Sequence, residues 1–173
     1  MRVEVVAYDP RWKAGAEAEA GQIHTALGDI IFAIHHIGST AIPGIFAKPI
    51  LDFLLEVKGL TRLDDRIPTV EGLGYEPMGE YGIPGRRFFR KLGAGGMRTH
   101  HVHAFETGSP ELGRHLAFRD YMIAHPETAL QYSALKRNLA QKYPDDIDAY
   151  MDGKDIFIKE HEAKAIEWRW RDV

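Results

Sequence analysis

The chain contains no cysteine. That absence removes any disulfide framework, any thiolate nucleophile and any Cys-ligated zinc, and it accords with a cytoplasmic protein. No apolar run is long enough to span a bilayer, and the opening MRVEVVAYDP lacks the apolar segment of a signal peptide. The G-x-x-x-x-G-K-[ST] phosphate loop is missing, as is a G-x-G-x-x-G following a strand. There is no G-x-S-x-G elbow to support a hydrolase triad, and His161-Glu162 has no second histidine to complete H-E-x-x-H. Charge of one sign is not in excess. With 22 Lys and Arg against 25 Asp and Glu, the net charge is −3, which offers no electrostatic reason to expect a nucleic-acid partner. The 173 residues are enough for one domain with a sizeable core. These exclusions leave a soluble cytoplasmic protein whose chemistry rests on hydroxyl, carboxylate, imidazole and amine groups, with a small molecule as its expected partner.

What is present is concentrated in Ile34 to Val57, IHHIGSTAIPGIFAKPILDFLLEV. The first apolar run, residues 30–37, is β-branched and predicts a strand. It ends in Gly38-Ser39-Thr40. Gly38 permits a turn that a Cβ would resist, and the N–H groups and hydroxyls after it form a candidate phosphate site. A second predicted strand, residues 50–57, carries Asp52 among Ile, Leu and Phe. A buried carboxylate needs an ion partner or a metal. Lys48, between the turn and the acid, is a point charge suited to balancing a phosphate.

Around this centre the pattern is mixed. Asp9-Pro10 starts an amphipathic helix over 10–27, with Trp12, Ala16, Ile23 and Leu27 near one stripe. A second helix from Thr61 carries Leu63, Ile67 and Val70 on one face, with Pro68 as a kink or stop. Glu80 to Gly85 predicts a mobile loop. Residues 86–92 and 97–106 predict a hairpin around a glycine turn. Three helices follow, over 111–124, 127–143 and 154–170. Strands before residue 108 and helices after it give an α+β fold with a mixed sheet, read as one domain with a sheet core over 1–108 and a helical part over 109–173.

Within the hairpin, period two places His101 and His103 on one strand face and His100 on the other. Two same-face imidazoles near an acid are candidate ligands for a divalent metal, and the candidate set is Asp52, His101 and His103. Solvated or hydrogen-bonded core histidines are the alternative. Arg119, in F-R-D-Y, is a candidate ligand contact, with an ion pair to Asp120 as the alternative.

The run H-I-G-S-T-A-I-P-G…A-K-P-I-L-D resembles the GrpB family, small proteins with a nucleotidyltransferase-like fold. Further matches are Y-D-P-x-W at Tyr8, T-H-H-V-H at Thr99, F-R-D-Y at Phe118, L-K at Leu135-Lys136 and Y-M-D-G-K at Tyr150. The resemblance implies a nucleotide or phosphorylated small-molecule ligand. It implies phosphate contacts from Gly38, Ser39, Thr40, Lys48, Arg119, Lys136 and Lys154. It also implies a divalent cation (Mg, Mn or Zn) at Asp52, the expected catalytic residue. The superfamily pattern has a second acid two residues on, where this chain has Leu54. Metal-dependent nucleotidyl transfer is therefore the first expectation, and a binding module without catalysis is the second.

Overall fold

In the computed structural model, which describes residues 2–171, the elements run α1 (Arg11–Leu27), β1 (Ile31–Ile37), β2 (Leu51–Val57), α2 (Leu60–Asp64), α3 (Ile67–Gly72), β3 (Tyr75–Pro77), β4 (Arg86–Leu92), β5 (Arg98–Glu106), α4 (Pro110–Ala124), α5 (Pro126–Lys142) and α6 (Ile147–Trp170). This is the expected α+β arrangement. The chain divides into two compact units. A sheet unit comprises Arg11–Gly38 and Ile50–Leu112. A helical unit takes the N-terminal segment up to Pro10, Ser39–Pro49 and the chain from Gly113 onward.

The sheet has the order β1-β2-β5-β4-β3 and is mixed. β2 pairs antiparallel with β1 and parallel with β5, and β4 pairs antiparallel with both β5 and β3. A strand covered on both faces reads as a near-continuous apolar run. LDFLLEV in β2 does so, with Phe53, Leu54, Leu55 and Val57 at most 2% exposed. Phe53, Leu55 and Val57 join Ala16, Ile23 and Leu27 of α1, Leu63 of α2 and Val70 of α3 in one core cluster. Period two therefore sends Asp52, Leu54 and Glu56 to the opposite face. The second predicted helix is split into α2 and α3. The break falls at Asp65-Arg66, and Pro68 lies in the first turn of α3, where its missing N–H costs nothing.

One buried polar cluster escapes the apolar pattern. Glu19 lies on the buried stripe of α1. It accepts from the Tyr75 hydroxyl at 2.7 Å and from Lys91 Nζ at 2.6 Å, and His100 Nε2 lies 3.9 Å from its other oxygen. Burial pushes the Glu19 carboxyl up, but hydrogen bonds from Lys91 and Tyr75 outweigh it and the group titrates below its ordinary 4.5.

In the helical unit, α6 begins at Ile147, seven residues before the helix expected from Lys154. Asp146 caps it by accepting from Ala149 N at 3.0 Å. Gly153 inside it does not break the helix. A Cβ there would run into the Leu139 side chain of α5, so the glycine lets the two helices approach closely. The Ser39–Pro49 segment is fastened in the same unit. Phe46 N donates to Ser133 Oγ at 2.9 Å, and Ala47 exchanges backbone hydrogen bonds with Val6. Among the described residues, no helix is long and apolar enough to cross a membrane.

Glu19→Gln keeps the shape of the side chain but removes the charge facing Lys91. It should destabilise the protein by on the order of 2 kcal/mol at neutral pH, measured by urea unfolding. A carboxyl with a depressed native pKa stabilises above its unfolded pKa and loses that contribution as pH falls through the native value. The gap between wild type and variant should therefore shrink below about pH 4.5. A gap that persists undiminished in acid would contradict this account of Glu19.

Candidate functional site

The parallel register of β2 and β5 pairs Asp52 with His101 and Leu54 with His103. All four share the sheet face opposite the α1 core, by strand alternation. The side chains of Asp52, His101 and His103 converge. Asp52 Oδ1 is 3.3 Å from His101 Nδ1 and 3.3 Å from His103 Nε2. The two rings stand nearly perpendicular, with centroids 6.4 Å apart. Phe88 of β4 packs against both rings, at 5.3 and 5.2 Å between centroids. Burial works against the ionised form of Asp52. Hydrogen bonds from His101 and His103 outweigh it and hold the carboxyl well below the usual carboxylate range.

Gly38 matters to this cluster in a specific way. It follows the last residue of β1, whose Ile37 is the register partner of Asp52. Its φ is +75°, and a Cβ there would lie 2.6 Å from Asp52 Oδ2. The glycine is thus required both by the backbone conformation and by the carboxylate lying against it.

Arg86, the first residue of β4, completes the arrangement. It is 7% exposed. Its Nε donates to Glu80 O at 3.1 Å and its Nη2 to Tyr81 O at 2.7 Å, which ties the Glu80–Gly85 loop to β4. Its Nη1 lies 3.3 Å from His103 Nδ1. A guanidinium only donates, so Nδ1 is the acceptor and neutral His103 carries its proton on Nε2, pointing at Asp52. His101 Nε2 is buried without a hydrogen-bond partner.

The donor set suits a divalent metal in kind and spacing. One carboxylate oxygen and two imidazole nitrogens lie within 4.8 Å of one another. A tetrahedral ion with bonds of about 2.0–2.1 Å separates its ligands by roughly 3.3–3.4 Å, close to the two distances found. A set with two imidazoles suits Mn or Zn better than Mg, which favours oxygen. Metal binding by His103 Nε2 requires its proton to move to Nδ1, against the Arg86 donor. A ligating histidine usually donates its far N–H to a carboxylate or carbonyl, and Arg86 offers a donor there instead.

The other expected residues belong to the helical unit. Ser39 and Thr40 form a 3-10 turn in which Ile42 N donates to Ser39 O, and Thr40 is buried. Lys48, Lys136 and Lys154 gather around two tyrosines of the helical unit. Lys136 Nζ is 4.4 Å from the Tyr132 ring centroid, and the Nζ atoms of Lys48 and Lys154 are 5.4 and 5.1 Å from that of Tyr150. Arg119 Nε donates to its neighbour Asp120 at 2.9 Å.

A family model described as GrpB protein matches residues 2–164. The chain belongs to the GrpB family. The crystal structure of conserved protein GrpB from Enterococcus faecalis superposes with a TM-score of 0.92 at 43% identity, covering 97% of this chain and all of that one. The UPF0157 protein YqkA of Bacillus subtilis is 45% identical over 168 residues, 97% of this chain but 48% of that protein, so the chain spans about half the length of this relative. The glutamate-rich protein GrpB of Alkalihalophilus pseudofirmus is 34% identical over 161 residues, 91% of this chain and 92% of that one.

Two substitutions test the geometry of this GrpB-family cluster. Gly38→Ala places a methyl group against the Asp52 carboxylate and strains the backbone, so it should cost about 2 kcal/mol or more in chemical unfolding. Arg86→Gln replaces the donor at His103 Nδ1 with a side chain able to accept from it. In a folded variant, Mn or Zn affinity measured by calorimetry should tighten by about tenfold or more. Weaker metal binding by the folded variant would show that Arg86 supports the ligand set rather than opposing it.

Proposed function

We propose that this protein binds a nucleotide or another phosphorylated small molecule and that Asp52, His101 and His103 hold a divalent metal for nucleotidyl or phosphoryl transfer. The observation that carries the reading is the convergence of both imidazoles on one Asp52 oxygen. When bound, the ion supplies Lewis-acid neutralisation of charge on the transferring group. Asp52 is the proposed catalytic residue, because its carboxylate stays ionised and lies where that charge is held. Ser39 and Thr40, following Gly38, are the proposed phosphate contacts through main-chain N–H groups and hydroxyls. Phe88 packs against both imidazoles, and Leu54, which shares the strand face of Asp52, is buried. The nucleotidyltransferase assignment itself comes from the resemblance of the Gly-Ser-Thr to Asp block. A cytoplasmic location accords with the absence of cysteine.

A second reading is favoured by two specific features. Leu54 occupies the position of the second acid, and Arg86 holds His103 in the tautomer that cannot ligate through Nε2. Both fit a module that binds the phosphorylated molecule without transforming it.

Asp52→Asn separates the two. In a transferase, product formation from nucleoside triphosphates with Mn or Mg, followed by mass spectrometry, should fall by about two orders of magnitude or more while the variant still melts cooperatively. Undiminished turnover in a folded variant would remove Asp52 from the mechanism. Nucleotide binding by the wild type with no product under any metal would establish the binding module instead.

A further inference from the structure

Lys136 is the most anomalous side chain of the helical unit. It is 1% exposed, and its Nζ has no hydrogen-bond partner. A buried ammonium without a partner is costly, and proteins rarely bury lysine unpaired. The two charges acting on it, from Lys154 and Lys48, are both positive. The ring face of Tyr132 lies 4.4 Å away. Lys48 and Lys154 lie at 5.4 and 5.1 Å from the face of Tyr150 and are only partly buried. Three separate pieces of backbone build this cluster. Lys136 and Tyr132 sit one turn apart on α5, Tyr150 and Lys154 one turn apart on α6, and Lys48 on the segment fastened through Phe46 and Ala47. The close approach of α6 to α5 at Gly153 and Leu139 holds the two helices together beside it.

We propose that Lys48, Lys136 and Lys154, framed by Tyr132 and Tyr150, form a binding site for a multiply charged phosphate group, such as a pyrophosphate or a phosphate ester. Lys154 and Lys48 act on the buried Lys136 amine as like charges, and an anion entering beside that amine would offset them. Lysine ammoniums act on phosphate as point charges from several directions. The tyrosine faces stabilise the cations without neutralising them. Burial, and then Lys154 and Lys48, push the Lys136 amine down to about 7. It is therefore largely neutral in slightly alkaline solution and becomes an ammonium when the anion arrives. The charges acting on it come from Lys154 and Lys48, and Tyr132 presents its ring to it. Burial keeps the Tyr150 phenol protonated well above its ordinary range. The site needs neither Asp52 nor a metal.

The test is calorimetry of the whole chain with inorganic pyrophosphate in EDTA, so the metal reading cannot influence it. Wild type should bind, with affinity falling as pH rises above about 7. Lys136→Met should weaken binding by about tenfold or more. It should also raise the melting temperature of the unliganded protein, because the unpaired amine is gone. In buffers of differing ionisation heat at about pH 8, wild type should take up more protons per bound anion than the variant, a difference that cancels the protons of pyrophosphate itself. Should Lys136→Met fail to fold, Lys154→Met provides the same affinity comparison. No binding of pyrophosphate by wild type would overturn the proposal. So would unchanged affinity in the folded variants, or citrate binding as tightly as pyrophosphate.

Discussion

The parallel pairing of β2 with β5 is the constraint on which the sheet unit's chemistry depends. Side chains alternate along a strand, so a slip of one residue would send His101 and His103 to the opposite face from Asp52. The register is secured by what lies on the other face. Phe53, Leu55 and Val57 of β2 and Val102 and Ala104 of β5 are all buried in the core against α1, α2 and α3. A slip would expose that apolar set. The carboxylate and the imidazoles meet because the hydrophobic side of the same two strands leaves no alternative.

The structure treats its buried charges in two contrasting ways. Glu19 is surrounded by donors from Tyr75 and Lys91, and its burial is compensated by hydrogen bonds. Asp52 is treated similarly by two imidazoles. Lys136 is not. It is as deeply buried as the core aromatics, yet its amine has no hydrogen bond and its charged neighbours are cations. Folding alone gives no reason to keep such a group, since a methionine of similar length would pack there without the desolvation cost. A ligand supplies the reason.

Arg86 shows how an inward charge can restrain a site. It satisfies the carbonyls of Glu80 and Tyr81, which closes the loop preceding β4. In doing so it presents a donor to His103 and dictates which nitrogen of that ring bears the proton. The Asp52 cluster is thereby held as a hydrogen-bonded group when no cation is present. A metal must compete with that arrangement.

Much of this was legible in the chain itself. The apolar runs on either side of Gly38-Ser39-Thr40, the face on which Asp52 of β2 lies and the His-Val-His alternation all follow from period-two geometry, which depends only on neighbours in sequence. β1, β2 and the β4–β5 hairpin follow in the same way, and most helix limits follow from apolar stripes of period 3.6 with proline and cap signals, whereas β3 carries no such signal. The start of α6 does not, because Gly153 favours a helix interior only through its contact with Leu139 on another helix. Glu19 sits on an apolar stripe, and nothing local reveals that Tyr75 and Lys91 come to meet it. The contact of Arg86 with His103 needs the β4–β5 pairing. The lysine cluster joins positions 48, 136 and 154, whose approach is decided by the packing of α5 on α6 and by the docking of Phe46 on Ser133. The sequence by itself determined the local elements and which residues share a strand face. Only the tertiary structure decided which charges are compensated and which are left waiting, because compensation depends on groups brought together from distant parts of the chain.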